Sequence, residues 1–241
     1  MTITPAITHA NTQANTQANT QAISHSDKAR ILVLNCNRFE LSTLADSLRL
    51  QGLDIVGQAE NIESADELFR TVQPDSIVLT FQGCDSRCLE LLRKLRSENP
   101  ALGIVILTNS PDLRLYGIRE IDLPRGTQLI EKSALKDVRD IRRAVEQSRK
   151  PEKQTEWIVN SLDASLNALT DIQMETLRLL ASGLSNSDIG KTRFVSEKSV
   201  EQTITRIAQH LDVVHEKGRN MRVLLATEYY KRLGAPTEHA I

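Results

Sequence analysis

Aromatic side chains are scarce in this sequence: one Trp, three Tyr and four Phe among 241 residues. Any core must therefore be built mainly from aliphatic side chains. Cysteine is scarcer still, with three in all, and an odd number in a chain of this size does not make a disulfide framework. Reduced thiols are expected. An excess of one charge is missing too. The formal net charge is −1, which excludes a bulk condenser of nucleic acid and leaves any such contact to a local patch. No apolar run approaches the ~20 residues that span a bilayer, and the N-terminus lacks a basic segment leading into an apolar one. A cytoplasmic protein without a membrane segment is expected. No histidine lies near the cysteines in sequence, so no metal site is expected, and no cofactor is implied. No nucleophile, base and orienting group stand out as a set, so the chain does not read as an enzyme.

What is present falls into two folded halves behind a polar start. Residues 1–28 contain Ala-Asn-Thr-Gln three times between Ala10 and Gln21 and no Leu, Val, Phe or Trp. Such a segment buries too little surface to offset its ordering entropy and is expected to be disordered. In residues 29–148, five short apolar runs alternate with helical patterns. The runs are Ile31–Leu34, Ile55–Gly57, Ile77–Leu79, Ile104–Leu107 and Leu129–Ile130. The helical stretches are Phe39–Leu50, Ala65–Val72, Leu89–Leu95 and Leu135–Val145, with an irregular region from Leu113 to Ile121. This alternation predicts a flavodoxin-like, five-stranded, doubly wound parallel sheet, an α/β domain whose chemistry lies beyond the carboxyl ends of the strands. Residues 149–166 read as a linker. Lys150-Pro151-Glu152 breaks the preceding helix, and Trp157, Ile158, Leu162 and Leu166 predict a short amphipathic helix, with Trp157 packing between domains. Residues 167–235 predict an all-α domain of four helices, and 236–241 a frayed tail.

The chain is organised around Leu169–Val213. Thr170 and Gln173 form a capping-box pattern ahead of Met174, Leu177, Leu179 and Leu180. Gly183 marks the stop. Ser185 opens a short helix carrying Ile189, and Ser196 opens another with Val200, Ile204, Ile207 and Leu211 at helical spacing. Two tightly joined short helices, the second free to lie in a major groove, make a helix-turn-helix. The ordered set Leu169-Thr170, Leu179-Leu180-Ala181, Gly183-Leu184-Ser185-Asn186, Ile189, Val195-Ser196-Glu197, Val200, Ile207 and Leu211 resembles the DNA-binding domain of LuxR/NarL-type response regulators.

Residues 30–148 carry a second resemblance, to the receiver domain of two-component response regulators. Pro74-Asp75 precedes the third run, Leu107-Thr108 ends the fourth, and Lys132 follows the fifth. The resemblance implies two acidic residues after the first strand to hold a divalent cation, and an aspartate ending the third to accept a phosphoryl group. It also implies a threonine and a lysine that bind the new phosphate. Thr108 and Lys132 are in place, but Asn35 and Cys36 stand at the acidic positions, Thr80 at the acceptor, and Leu129 where an aromatic is usual. A hard cation prefers carboxylate oxygens, and an acyl phosphate requires a carboxylate nucleophile. The expectation is a pseudo-receiver that is not phosphorylated at the usual position, in which Lys132 has lost its usual counter-charges. Asp85 is the alternative acceptor nearby. A redox switch among Cys36, Cys84 and Cys88 is the sharper reading of the thiols, and inert buried cysteine the plainer one.

The helix opened by Ser196 would be the recognition helix, with Lys198, Ser199, Glu201, Gln202, Thr205, Arg206 and Gln209 facing outward. The resemblance implies basic readers at two positions that are Glu201 and Thr205 here. Gln202 suits adenine, Glu201 accepts from cytosine, and Arg206 and Lys198 suit phosphate or guanine. From Lys191 to Arg232, nine cations face five anions, a net +4. That is a modest footprint for a single domain, so a homodimer on paired half-sites of double-stranded DNA is expected. The fourth helix, from about Asn220 to Leu233, carries Val223, Leu224, Ala226 and Thr227. It is the helix that the resemblance implies for dimer contacts. The leading expectation is a DNA-binding transcription regulator that does not depend on aspartyl phosphorylation. The alternative is a signalling adaptor that binds a protein partner through the pseudo-receiver.

Overall fold

The computed structural model describes residues 28–81, 86–110, 112–150, 156–159, 164–213 and 218–234. The repeat tail, Cys84, Asp85 and the last residues lie outside them.

Six strands form one parallel sheet in the order β2-β1-β3-β4-β5-β6: β1 Arg30–Leu34, β2 Asp54–Ala59, β3 Ser76–Phe81, β4 Gly103–Thr108, β5 Gln128–Glu131 and β6 Glu156–Ile158. Every residue of β3 and β4 is buried, as strands covered on both faces require. The period of two sorts the strand side chains into two layers. Leu32, Leu34, Ile77, Leu79, Phe81, Ile104, Ile106 and Leu129 face one way, against α2 (Ile62–Val72) and α3 (Ser86–Glu98). Ile31, Val33, Val78, Val105, Leu107 and Ile130 face the other way, against α1 (Arg38–Leu50) and α4 (Val138–Ser148). Each of α1, α2 and α4 begins at a side-chain cap: Asn37, Asn61 and Asp137. Helix α4 starts at Val138 rather than Leu135, because a 3-10 turn over Lys132–Ala134 comes first.

Two segments depart from a simple alternation. Between β4 and β5 the described residues make two 3-10 turns, Leu113–Tyr116 and Glu120–Asp122, in the region the sequence marks as irregular. The helix expected from Trp157 onward does not begin there. Residues 156–158 instead pair in parallel with β5, Leu129 against Trp157 and Ile130 against Ile158, and among the described residues of this span the helix is Ala164–Asn167 (α5). Pairing satisfies the outer backbone groups of β5, which a free helix would leave open.

The C-terminal domain is α6 (Asp171–Ala181), α7 (Asn186–Arg193), α8 (Glu197–His210) and α9 (Met221–Leu233). The capping box at Thr170 and Gln173 is formed in both directions, at 3.3 and 2.8 Å. Ser185 and Ser196 cap α7 and α8. Gly190 permits the tight α7–α8 turn, because a Cβ there would lie 2.8 Å from the Val195 carbonyl oxygen. Arg193 ties α7 to α6 through the Thr176 hydroxyl at 2.6 Å, and Arg222 holds the Leu184 carbonyl and the Asn186 side chain.

The two domains share one hydrophobic cluster. Leu113, Leu115, Tyr116 and Ile118 lie in it with Leu166, Leu169, Met174, Leu177 and Tyr229. Arg114 is the polar clamp. Its guanidinium donates to the Leu169 carbonyl at 2.7 Å, the Leu166 carbonyl at 3.1 Å and the Asp171 carboxylate at 3.1 Å, while Asp112 pairs with it at 2.7 Å. That carboxylate pair raises the Arg114 pKa, so the clamp stays charged. The Tyr229 hydroxyl donates to the Leu115 carbonyl at 2.7 Å, and Asn109 donates to the Leu233 carbonyl at 3.1 Å. Gly117 has φ +72°, and the Arg178 guanidinium covers it so closely that a Cβ would sit 3.2 Å from Cζ.

Candidate nucleic-acid interface and receiver-like pocket

The receiver-like pocket lies at the carboxyl ends of β1, β3, β4 and β5, where the sequence placed it. Asn35 and Thr80 are buried side by side, and the Asn35 amide donates to the Thr80 hydroxyl at 3.2 Å. The other end of that amide accepts the Asn37 N–H at 2.8 Å, so Asn35 is used at both ends. Lys132 has a counter-charge from a position other than the usual ones. Its ammonium donates to Glu40 Oε2 at 2.9 Å, and Asn35 Nδ2 donates to the same oxygen at 3.1 Å. Glu40 is not among the strand-end residues that the sequence singles out, because this carboxylate comes from the first turn of α1. The signal was there: an acidic residue just after a strand-to-helix turn stands over the sheet edge, and the helix dipole favours a negative charge there.

Thr108 is completely buried. Its hydroxyl donates to the Ser110 carbonyl at 2.7 Å, accepts the Ser110 N–H at 3.2 Å and lies 3.0 Å from the Tyr116 hydroxyl. An aromatic thus does meet this threonine, but it comes from the 3-10 turn after β4 rather than from position 129. Burial raises the Tyr116 pKa, so it remains a neutral phenol. Among the cysteines, Cys36 is exposed, whereas Cys88 is fully buried in the core and presents no surface to an oxidant. Cys84 and Asp85, the remaining candidates, lie outside the described residues. No cluster of three or more His, Cys, Asp and Glu with metal-binding geometry occurs among the described residues.

In the C-terminal domain, Val200, Ile204, Ile207 and Ala208 bury one face of α8. Lys198, Glu201, Gln202, Thr205, Arg206 and Gln209 are exposed on the rest of it. Ser199 differs from expectation: it is half-buried, with its N–H on Ser196 and its carbonyl accepting the Thr203 hydroxyl at 2.8 Å. The Thr205 hydroxyl is turned back onto the Glu201 carbonyl at 3.0 Å. Lys198, Gln202 and Arg206 make no side-chain hydrogen bond or ion pair among the described residues, so their heads are available for an external partner. Phe194, which the sequence reading passed over, is 95% exposed in a left-handed conformation at the turn leading into α8. The contacts with the receiver-like domain use α6, α9 and residues 166–171, and they leave the outward face of α8 open.

Residues 167–218 match the protein family described as GerE, bacterial regulatory proteins of the luxR family. The chain is 26% identical over 197 residues to the DNA-binding transcriptional activator DevR/DosR of Mycobacterium tuberculosis, covering 73% of this chain and 83% of that protein. It is 26% identical over 196 residues to the transcriptional regulatory protein LiaR of Bacillus subtilis, covering 76% and 91%. Its fold is similar to that of the two-component response regulator RcsB in a DNA complex, with a TM-score of 0.51 at 17% identity, over 86% of this chain and all of that one. The chain therefore carries a luxR-family helix-turn-helix domain at residues 167–218 behind a receiver-like α/β domain, and over about three quarters of its length it is similar to the transcription regulators DevR/DosR and LiaR.

Proposed function

We propose that this protein is a DNA-binding transcriptional regulator whose receiver-like domain works without aspartyl phosphorylation. The observation that carries the DNA-binding half is the open polar face of α8 within the luxR-family domain. A helix of this kind enters the major groove and reads base edges with its outward side chains. Gln202 can bond in a bidentate manner to adenine, Glu201 can accept from cytosine, and Lys198 and Arg206 can hold phosphates. One such domain offers few phosphate contacts, so a homodimer on two half-sites is the functional form we infer. The homologous proteins are regulators, which supports a binding protein rather than an enzyme.

The second half of the reading rests on chemistry at the strand ends. Thr80 offers no carboxylate for an acyl phosphate, and its hydroxyl is already bonded to Asn35. Asn35 supplies no carboxylate oxygen for a hard cation. Selection of binding sites from random DNA by the full-length protein, without a phosphoryl donor, tests the reading. It should enrich a paired sequence, and Gln202→Ala and Arg206→Ala should each weaken the enrichment. If both variants bound DNA as the parent does, the adaptor reading would stand in its place.

A further inference from the structure

The pocket that the receiver-like fold builds at its strand ends is not left as a vestige. It holds a connected polar chain running from Lys132 through Glu40 and Asn35 to Thr80. Two donors converge on one oxygen of Glu40: an ammonium at 2.9 Å and an amide at 3.1 Å. The carboxylate cannot swing away cheaply. Its residue lies in the first turn of α1, its own N–H donates to the Asn37 cap at 3.1 Å, and the helix N-terminus favours negative charge. Asn35 is fixed in turn by the Asn37 N–H, so the amide that bridges Glu40 and Thr80 has one orientation in which every bond is made.

We propose that Glu40 is the built-in anion of this pocket. It is a positioning residue whose carboxylate occupies Lys132 and Asn35 and so keeps small inorganic oxyanions off the lysine. The inference rests on the reading above that the domain takes no phosphoryl group on an aspartate, and it supplies what stands in for one. An incoming phosphate must displace a charge-assisted hydrogen bond rather than meet a bare ammonium. The pair is only partly shielded, with side-chain exposures of 27% for Lys132 and 40% for Glu40, so an oxyanion can reach the lysine once the glutamate is neutralised.

The test uses the full-length protein and inorganic phosphate as the probe, followed by amide and side-chain NMR shifts around α1 and the end of β5. The parent protein should show no saturable shift at millimolar phosphate. Glu40→Gln keeps an acceptor for Asn35 but removes the charge, and it should gain a saturable response that Glu40→Gln combined with Lys132→Met loses. Should Glu40→Gln not fold, Glu40→Asp carries the test. Its carboxylate stays at the helix start but falls short of Lys132, and it should gain the same response. The inference is overturned if the parent saturates as the variant does, or if a folded variant gains nothing. A separate incubation with a small phosphoryl donor and Mg²⁺ distinguishes the underlying reading. A covalent mass gain on the parent would defeat that reading itself. No mass gain together with an unresponsive variant would defeat only the role given to Glu40.

Discussion

Gln202 and Arg206 stand four residues apart on the exposed side of α8, one turn above the other, and the proposed function gives their side chains different ends. A guanidinium on a phosphate adds affinity without reading sequence, whereas an amide on a base edge discriminates. Arg206→Ala is therefore expected to weaken binding to all sequences alike and to lower the slope of log affinity against log salt by about 1. Gln202→Ala should cost about 1–3 kcal/mol on the preferred site and relax the preference at one base pair. Equilibrium titrations on matched and mismatched duplexes at several salt concentrations separate the two. Glu201 and Thr205 mark how far these residues could be read beforehand. Their positions on the helix follow from the spacing of Val200, Ile204 and Ile207, but the bond from Thr205 back to the Glu201 carbonyl is a rotamer choice that sequence does not dictate. Glu40 and Tyr116 escaped notice for a related reason. Each meets its partner across space, Glu40 from a helix turn and Tyr116 from a 3-10 turn, and neither lies at a strand end, where such residues are sought.

Helix starts were legible because a cap is a local event: Thr170, Ser185 and Ser196 each accept the N–H three residues on, and the pattern stands in neighbouring positions. Thr170→Ala should accordingly destabilise the C-terminal domain by about 1 kcal/mol in denaturant unfolding. The buried strands were legible as apolar runs. β6 was not, because what makes residues 156–158 a strand is the open edge of β5, a tertiary partner that outweighs the weak helical spacing of Trp157, Ile158, Leu162 and Leu166. Gly190→Ala probes the other tight element. An added Cβ 2.8 Å from the Val195 carbonyl oxygen forces the α7–α8 turn to shift, so both the melting temperature and DNA affinity should fall, as a thermal scan and a binding titration would show.

At the scale of the whole molecule, the two domains are held together by the Arg114 clamp and a shared hydrophobic cluster. Tyr229 belongs to that cluster, and burial pushes its pKa up to about 12. A tyrosine in the unfolded chain ionises near pH ~10. The unfolded state therefore releases its proton first, and the contribution of Tyr229 is fully present below pH ~10 and is lost as pH rises towards about 12. Tyr229→Phe should remove that alkaline loss. It should also cost about 1–3 kcal/mol at neutral pH, because the Leu115 carbonyl is left without its donor. Arg114→Ala should speed hydrogen exchange in residues 113–118 and 166–171 and enlarge the radius of gyration, with the sheet and the helix-turn-helix still folded. Docking leaves the outward face of α8 uncovered, so the proposed reading holds that the closed arrangement binds DNA with no charge added to release it. The most direct measurement of that claim is a binding-site selection with the untreated full-length protein, repeated after incubation with a small phosphoryl donor and Mg²⁺. The same paired DNA sequence should be enriched, with the same affinity, in both. Enrichment only after the donor, or none in either, would contradict it.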